Sequence, residues 1–187
     1  MLTLTFCSMK KIFLLLPVLA LLALATFSCK KIKQLLTFEI SHTENFKIPA
    51  TPLVGGLPVT LNLPVPVTNK ASETFSKQGT RADLVKDVTL TKLTLSIIDP
   101  TTENFNFLKS IEISIGTDQT DIVPLASLTD VPMGVQTIEL QSSGTKLDKY
   151  LKAPNYTLYT KATVRQATTK EITVKEEIRF KVTADPL

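Results

Sequence analysis

The sequence predicts an all-β fold: a single β-sandwich of about eight strands with one or two short helices, preceded by a signal peptide. Three observations predict it. Apolar residues recur at every second position over long stretches, which is typical of half-buried strands. Turn-forming residues separate these stretches, as at Asp99-Pro100 and Gly144. Helical spacing of apolar residues is confined to three short segments, so we expect sheet to pack on sheet.

Stripes of alternating apolar residues predict the clearest strands, at residues 57–67, 111–115, 156–164 and 172–182. In the first stripe, Pro58, Pro64 and Pro66 share the opposite face. Proline has no N–H to donate to a neighbouring strand, so we expect this strand at a sheet edge or as an unpaired tail. In the last stripe, Glu176 alone interrupts the inner face, which predicts a bulge or a strand end there.

The segment 87–98 is a further strand, and its apolar residues change phase partway along. One phase holds Val88 and Leu90, and the other holds Leu93, Leu95 and Ile97. A slip of one residue moves every side chain to the other face, so the strand must bulge or bend near Thr91 and Lys92. Such a strand can pass from one sheet to the other at a corner of the sandwich.

The remaining elements are short. Strands are predicted at residues 36–40, 121–125 and 135–141. Thr80 and Asp83 have the spacing of a capping box and predict about two helical turns before residue 85. Apolar spacing at 147–151 predicts a second short helix, and 70–78 is a weaker candidate.

The N-terminal segment predicts where the protein is located. Lys10 and Lys11 precede the apolar run 12–27, which ends at Ser28 and Cys29. A charged start, an apolar core and a small residue before the cut define a secretory signal. The segment resembles the lipobox of bacterial lipoproteins, in which the cysteine thiol takes a diacylglycerol and becomes the mature N-terminus. The resemblance implies that Cys29 is lipidated.

The lipobox also divides the chain. Residues 1–28 become a lipoprotein signal peptide whose true start is Met9, residues 29–34 a lipidated tether, and residues 35–187 the β-sandwich domain. Two alternatives stay open: a retained membrane helix and an ordinary cleaved signal. A membrane helix needs about 20 apolar residues, whereas this run has 16 and contains a proline.

Two features resemble small lipoproteins of the Bacteroidota: the lipobox that ends in Ser-Cys-Lys-Lys, and the pattern of residues 93–100 followed by 105–111. The resemblance implies an Ig-like or LEA-like sandwich and no known activity. Surface-exposed lipoproteins of that group resemble one another in having acidic residues just after the cysteine. Here Lys30, Lys31 and Lys33 follow it, and the first acid is Glu39. The resemblance therefore implies a lipid-anchored domain on the periplasmic side of the outer membrane.

Composition excludes several functions. Cleavage after residue 28 removes two of the 21 basic residues and none of the 17 acidic ones, which leaves 159 residues with a net charge of +2. This balance argues against nucleic acid, which needs a concentrated basic stripe. Cys7 precedes the expected start and Cys29 is assigned to lipid. The domain is therefore left without a thiol for a disulfide, a metal or a nucleophile.

Candidate reactive groups are few. His42 is the one histidine, and we expect it in a solvated turn at residues 41–45. Asp118 and Asp121 carry oxygen ligands for calcium, but they lack the spacing of an EF-hand, so a turn between strands is the favoured interpretation. The glutamates are expected on a solvated strand face with cross-strand partners; they are Glu171, Glu176 and Glu177. We expect no catalytic, cofactor or metal site and no enzyme.

Aromatic residues offer one test of a binding surface for glycans or peptides. Phe105 and Phe107 share parity and are expected to face the core at a strand entry. Tyr156 and Tyr159 have opposite parity, so one of them must face outward. The predicted function is a lipid-anchored, non-catalytic binding or structural module whose partner is an envelope protein or a glycan. The alternative is a carrier that holds an apolar ligand between its sheets.

Overall fold

In the computed structural model, structure is described for residues 37–52, 59–185 and 187. Nine strands form among them: β1 (Thr37–Ile48), β2 (Val59–Thr68), β3 (Val85–Asp99), β4 (Leu108–Gly116), β5 (Val123–Leu128), β6 (Thr137–Glu139), β7 (Gln141–Ser142), β8 (Asn155–Val164) and β9 (Ile172–Ala184). Two helices, α1 (Ala71–Lys77) and α2 (Asp148–Lys152), complete the described elements, with short 3-10 turns before β3 and β4. Cys29 and the signal peptide lie outside the described residues.

The strands form two sheets, as a sandwich requires. One sheet has the order β1-β9-β3-β6, and the other has the order β2-β8-β4-β5-β7. The chain changes sheet at most of its connections, which is the topology of a double-sheet jelly roll. The predicted all-β sandwich is confirmed. Alternation of apolar residues shows that a strand has one buried face, but it does not show which strand lies beside it, so the strand order is information that only the structure supplies.

The core lies between the sheets and is built from the inward residues of each strand. In β9, every second side chain from Ile172 to Ala184 is buried, and Ile178, Phe180 and Val182 are at most 1% exposed. β8 contributes the matching stripe from Tyr156 to Val164. The two-residue period thus determines which face of each strand the core covers.

The long strand β3 shows the expected bulge. Its pairing with β9 slips between Leu90 and Lys92, which restores a common inner face after the change of phase. The expectation that this strand passes between sheets was wrong. β3 stays beside β9 from Val85 to Asp99, because the bulge itself corrects the phase and no change of sheet is needed.

One side of the sandwich is closed by a single stretch of chain. β6 pairs with β3 of the first sheet, and β7, which begins two residues after β6 ends, pairs with β5 of the second. On the opposite side, β1 and β2 are the outermost strands of their sheets. The edge position predicted for β2 is confirmed, and its prolines Pro64 and Pro66 fit a strand with a neighbour on one side only.

Glu176 lies inside the sandwich, which differs from both predictions made for it from the sequence. Its strand neither bulges nor ends there: β9 runs on in register, with Glu176 opposite Leu95 of β3. The side chain faces inward and is 1% exposed, and its Oε1 atom has no hydrogen-bond partner. The expectation of a solvated glutamate at this position was wrong, because strand pairing through β9 holds the carboxyl group inside the sandwich.

The helices match two of three expectations. α1 and α2 form within the segments 70–78 and 147–151 or one residue beyond. The two turns expected after Thr80 were not found; a single 3-10 turn, Ala82–Leu84, stands there without a side-chain cap. The Thr80 hydroxyl instead donates to the carbonyl oxygen of Asp185 at 3.0 Å, so it joins this segment to the end of β9 rather than capping a helix.

Candidate functional site: a groove on the outer face of the five-stranded sheet

His42 lies in the middle of β1, not in the turn that the polar residues around it predicted. Its imidazole is half-buried, and burial lowers its pKa. The Nε2 atom is 3.7 Å from the Glu44 carboxylate, which is beyond hydrogen-bond distance, and it has no other partner. No serine or other nucleophile is placed beside it by any described hydrogen bond, so the geometry gives it no catalytic partner.

Glu176 lies near the same strand. Burial raises the pKa of its carboxyl group to about 7, and the negative charge of Glu44 acts in the same direction. Burial also raises the pKa of the Tyr156 phenol, with Glu176 as the next cause. Titratable groups therefore lie near one another here: Tyr156 and Glu176 are buried between the sheets, His42 is half-buried and the Glu44 side chain is exposed. The cavity that His42 and Tyr156 line measures about 60 Å³, which is far below the size of a ligand pocket, so this cluster affects stability more directly than binding.

The other two glutamates of this group are solvated. Glu171 pairs with Lys47 of β1 at 2.6 Å, and Glu177 lies 3.3 Å from Lys175 on the same strand. Both pairs are largely exposed to water, where an ion pair adds little to stability. Both residues are solvated, as expected. Glu171 has its partner on another strand, whereas the partner of Glu177 lies on the same strand, so the expected cross-strand partner was not found for Glu177.

Asp118 and Asp121 lie in the turn between β4 and β5. The Asp121 carboxylate accepts hydrogen bonds from the backbone N–H groups of Thr117 and Asp118 at 2.8 and 3.0 Å, and the Lys149 ammonium lies 2.7 Å away. These contacts hold the pKa of Asp121 well below its usual range. The oxygens that calcium would need are therefore used to fold the turn.

The aromatic residues are buried or face outward as the sequence predicted. Phe105 and Phe107 are buried at the entry to β4. Tyr156 is buried, and Tyr159, three residues later in β8, faces outward and is half-buried. Tyr159 is therefore the tyrosine of this strand that can meet a partner.

Around Tyr159, three strands place their outward residues in two adjacent rows. Strand register sets Asn62 of β2 and Glu112 of β4 on either side of Lys161. One step along the strands, Pro64 and Ser114 flank Tyr159 in the same way. These rows line a groove of about 440 Å³, here called the outer-face groove.

The polar side chains of the outer-face groove are free to meet a ligand. Within the described part of the chain, neither Glu112 nor Lys161 pairs with an oppositely charged side chain, although they lie in register on adjacent strands. One acid and one base leave the groove without net charge. Asn62 and Gln119 add amide groups that can both donate and accept hydrogen bonds.

The turn between β4 and β5 forms a rigid wall of the groove. It supplies Gln119 and Ile122, and Ile122 is 40% exposed. The hydroxyl of Tyr150 in α2 donates to the Asp121 carbonyl oxygen at 2.7 Å, which fixes the turn to that helix. A Cβ atom on Gly116 would lie 2.9 Å from the Asp118 carbonyl oxygen, so the close fold of the turn requires glycine.

Two other cavities are less suited to binding. The apolar space found between the sheets, lined by Phe46 and Leu63 among others, measures about 10 Å³, which holds about one water molecule. A carrier of an apolar ligand would need a cavity of several hundred Å³. A polar cavity of about 250 Å³ lies near Asn104 and Asn106, but their side chains already accept backbone hydrogen bonds.

The described residues contain neither a cluster of metal-binding side chains nor a helix suited to crossing a membrane. Across residues 37–52, 59–185 and 187, no group of three or more His, Cys, Asp and Glu side chains could hold a metal ion. In the same part of the chain, no helix has the length and apolar character that crossing a membrane requires.

Comparison with known proteins yields no family. No family model matches the chain, and no curated protein matches it. Among solved structures, the chain is similar to the decameric BFDV capsid protein, at 9% identity and a TM-score of 0.39, over 80% of this chain and 98% of the other. It is also similar to the Desmodium yellow mottle tymovirus structure, at 11% identity and a TM-score of 0.27, over 81% and 90%. Such distant similarities say nothing about function.

Proposed function

We propose that the protein is a lipid-anchored cell-envelope lipoprotein that binds its partner, without catalysis, through the outer-face groove. One observation carries the binding role: the groove at Tyr159 is preformed and exposed, and its charged side chains Glu112 and Lys161 are unpaired. Preformed concave sites that combine apolar surface with a few polar groups are the usual form of binding sites.

The anchor and its location rest on the sequence. The lipobox ending at Cys29 supports attachment to a membrane by lipid, and the lysines that follow support the periplasmic side of the outer membrane. Lysines beside anionic headgroups add about 1 kcal/mol each near a strongly anionic surface. The short tether would hold the domain close to the bilayer, where a partner in the envelope can reach the groove.

Photo-cross-linking in intact cells tests the binding role. A photoreactive amino acid replaces Gln119 in the wall of the groove, and in a control chain it replaces Lys181, which is exposed on the outer face of β9 in the other sheet. The proposal expects adducts, to a protein or to a glycan, from position 119 and none from 181. Adducts from position 181 alone, or none from position 119, would overturn the groove as the binding surface.

A further inference from the structure

The outer-face groove also indicates what kind of molecule it binds, and this step rests on the function proposed above. Two ring side chains, the pyrrolidine of Pro64 and the phenol of Tyr159, lie in register on adjacent strands. The next row carries hydrogen-bonding groups, with Lys161 between Asn62 and Glu112. A ligand that fits must therefore have one apolar face and a rim rich in groups that both donate and accept hydrogen bonds.

We propose that the outer-face groove binds a neutral saccharide. The C–H face of a pyranose ring would lie on the Tyr159 ring, and its equatorial hydroxyls would reach the row of Asn62, Lys161 and Glu112. A hydroxyl group accepts from an ammonium and donates to a carboxylate, so a sugar can use both unpaired charges at once. Because the two charges cancel, the side chains of the groove do not favour a ligand with net charge.

The shape of the site fits a chain of sugars better than an extended peptide. A peptide that adds a strand needs a row of backbone N–H and C=O groups at a sheet edge. The nearest edge is β2, where Pro64 and Pro66 offer no N–H. The groove instead lies across the faces of β2, β8 and β4, so a sugar chain could lie over it without pairing with any strand.

The wall of the groove adds rigidity. Asp121 holds the turn through two backbone N–H groups and through Lys149 of α2. Gln119 and Ile122 are therefore set in place before a ligand arrives. A site that does not need to be ordered on binding loses less entropy, and this helps a shallow groove to hold an uncharged ligand.

Isothermal titration calorimetry on the protein purified in detergent tests the proposal. The probes are unbranched hexasaccharides of β-1,4-glucose, α-1,4-glucose, β-1,4-mannose and β-1,4-N-acetylglucosamine. We expect at least one to bind. Tyr159→Ala should weaken that binding at least fivefold, and Tyr159→Phe, which keeps the ring, should stay within twofold of the parent. Lys161→Ala should weaken it, whereas its matched control Lys181→Ala should not.

Salt dependence separates a neutral saccharide from a charged ligand. Binding of the neutral hexasaccharide should change less than twofold between 50 and 500 mM salt, because screening acts on charged partners. Binding to none of the probes, or binding that Tyr159→Ala leaves unchanged, would overturn the saccharide assignment. If position 119 still cross-links to a protein in cells, the binding role of the groove would stand and its ligand would be that protein.

Discussion

The buried carboxyl group of Glu176 should contribute stability that is lost as the pH rises, whereas the lowered pKa of His42 acts in the opposite direction. Leu95 lies opposite Glu176 on β3. Burial raises the pKa of Glu176, and the negative charge of the Glu44 carboxylate on β1 raises it further. The charge of Glu176 in turn adds to the effect of burial in raising the pKa of the Tyr156 phenol on β8. The Oε1 atom of Glu176 lacks a hydrogen-bond partner. An ionised carboxylate in this place is almost fully removed from solvent, and none of the ion pairs of the described residues includes it, so the folded state favours the protonated form.

The size of the effect on the unfolding free energy follows from the shift in the pKa of Glu176. The pKa of Glu176 rises from an ordinary value of 4.5 to about 7 in the folded protein. The folded state therefore holds the proton more tightly than the unfolded state, and the unfolding free energy falls between about pH 4.5 and pH 7. A shift of that size corresponds to about 3 kcal/mol at 1.36 kcal/mol per unit. For a domain of this length, that is about 6–12 °C in melting temperature.

The assay compares urea unfolding at pH 5 and pH 8 for the parent, Glu176→Gln and the control Glu177→Gln. Glutamine keeps the shape of the side chain and cannot ionise, so Glu176→Gln should lose about 2.5 kcal/mol of the pH dependence between pH 5 and pH 8 and be the more stable protein at pH 8. Glu177→Gln, on the solvated face of the same strand, should keep the slope of the parent. Equal slopes in the parent and Glu176→Gln would refute the reasoning.

Three further predictions follow from the same account. Phe180→Ala should cost about 3–5 kcal/mol of unfolding free energy, because Phe180 is 1% exposed. The control Arg179→Ala, at an exposed position, should cost under about 1 kcal/mol. Similar losses for the two variants in urea titrations would mean that the inner and outer faces of β9 are misassigned. Cys29→Ser should abolish metabolic palmitate labelling and release the protein from the membrane fraction or leave an uncleaved precursor, and persistent labelling would exclude Cys29 as the lipidated residue. The domain should resist protease added to intact cells and be digested once the outer membrane is permeabilised; digestion in intact cells would place it on the surface.

Local patterns in the sequence were enough to predict the sandwich, the edge position of β2 and the bulge in β3. Each of these depends on residues close together in the chain: alternation, proline within a strand, and a change of phase at Thr91. The same patterns predicted that Phe105 and Phe107 are buried and that one of Tyr156 and Tyr159 faces outward.

Features that depend on distant strands could not be predicted in this way. The polar residues around His42 are typical of a turn, yet pairing in the first sheet keeps them in β1. Glu176 breaks an apolar stripe, and only pairing through β9 shows that it stays inside. The outer-face groove joins Asn62, Glu112 and Lys161, which strand register brings together from three separate parts of the chain.

The most direct test of the central claim is an amide NMR map of the protein titrated with detergent-solubilised envelope material. If the groove is the binding surface, the amide signals that shift should belong to β2, β4 and β8 around Tyr159 and to the turn at residues 117–122, and Tyr159→Ala should abolish the shifts. Signals that shift on the outer face of β9 and β3 instead, or shifts that Tyr159→Ala leaves unchanged, would contradict the claim.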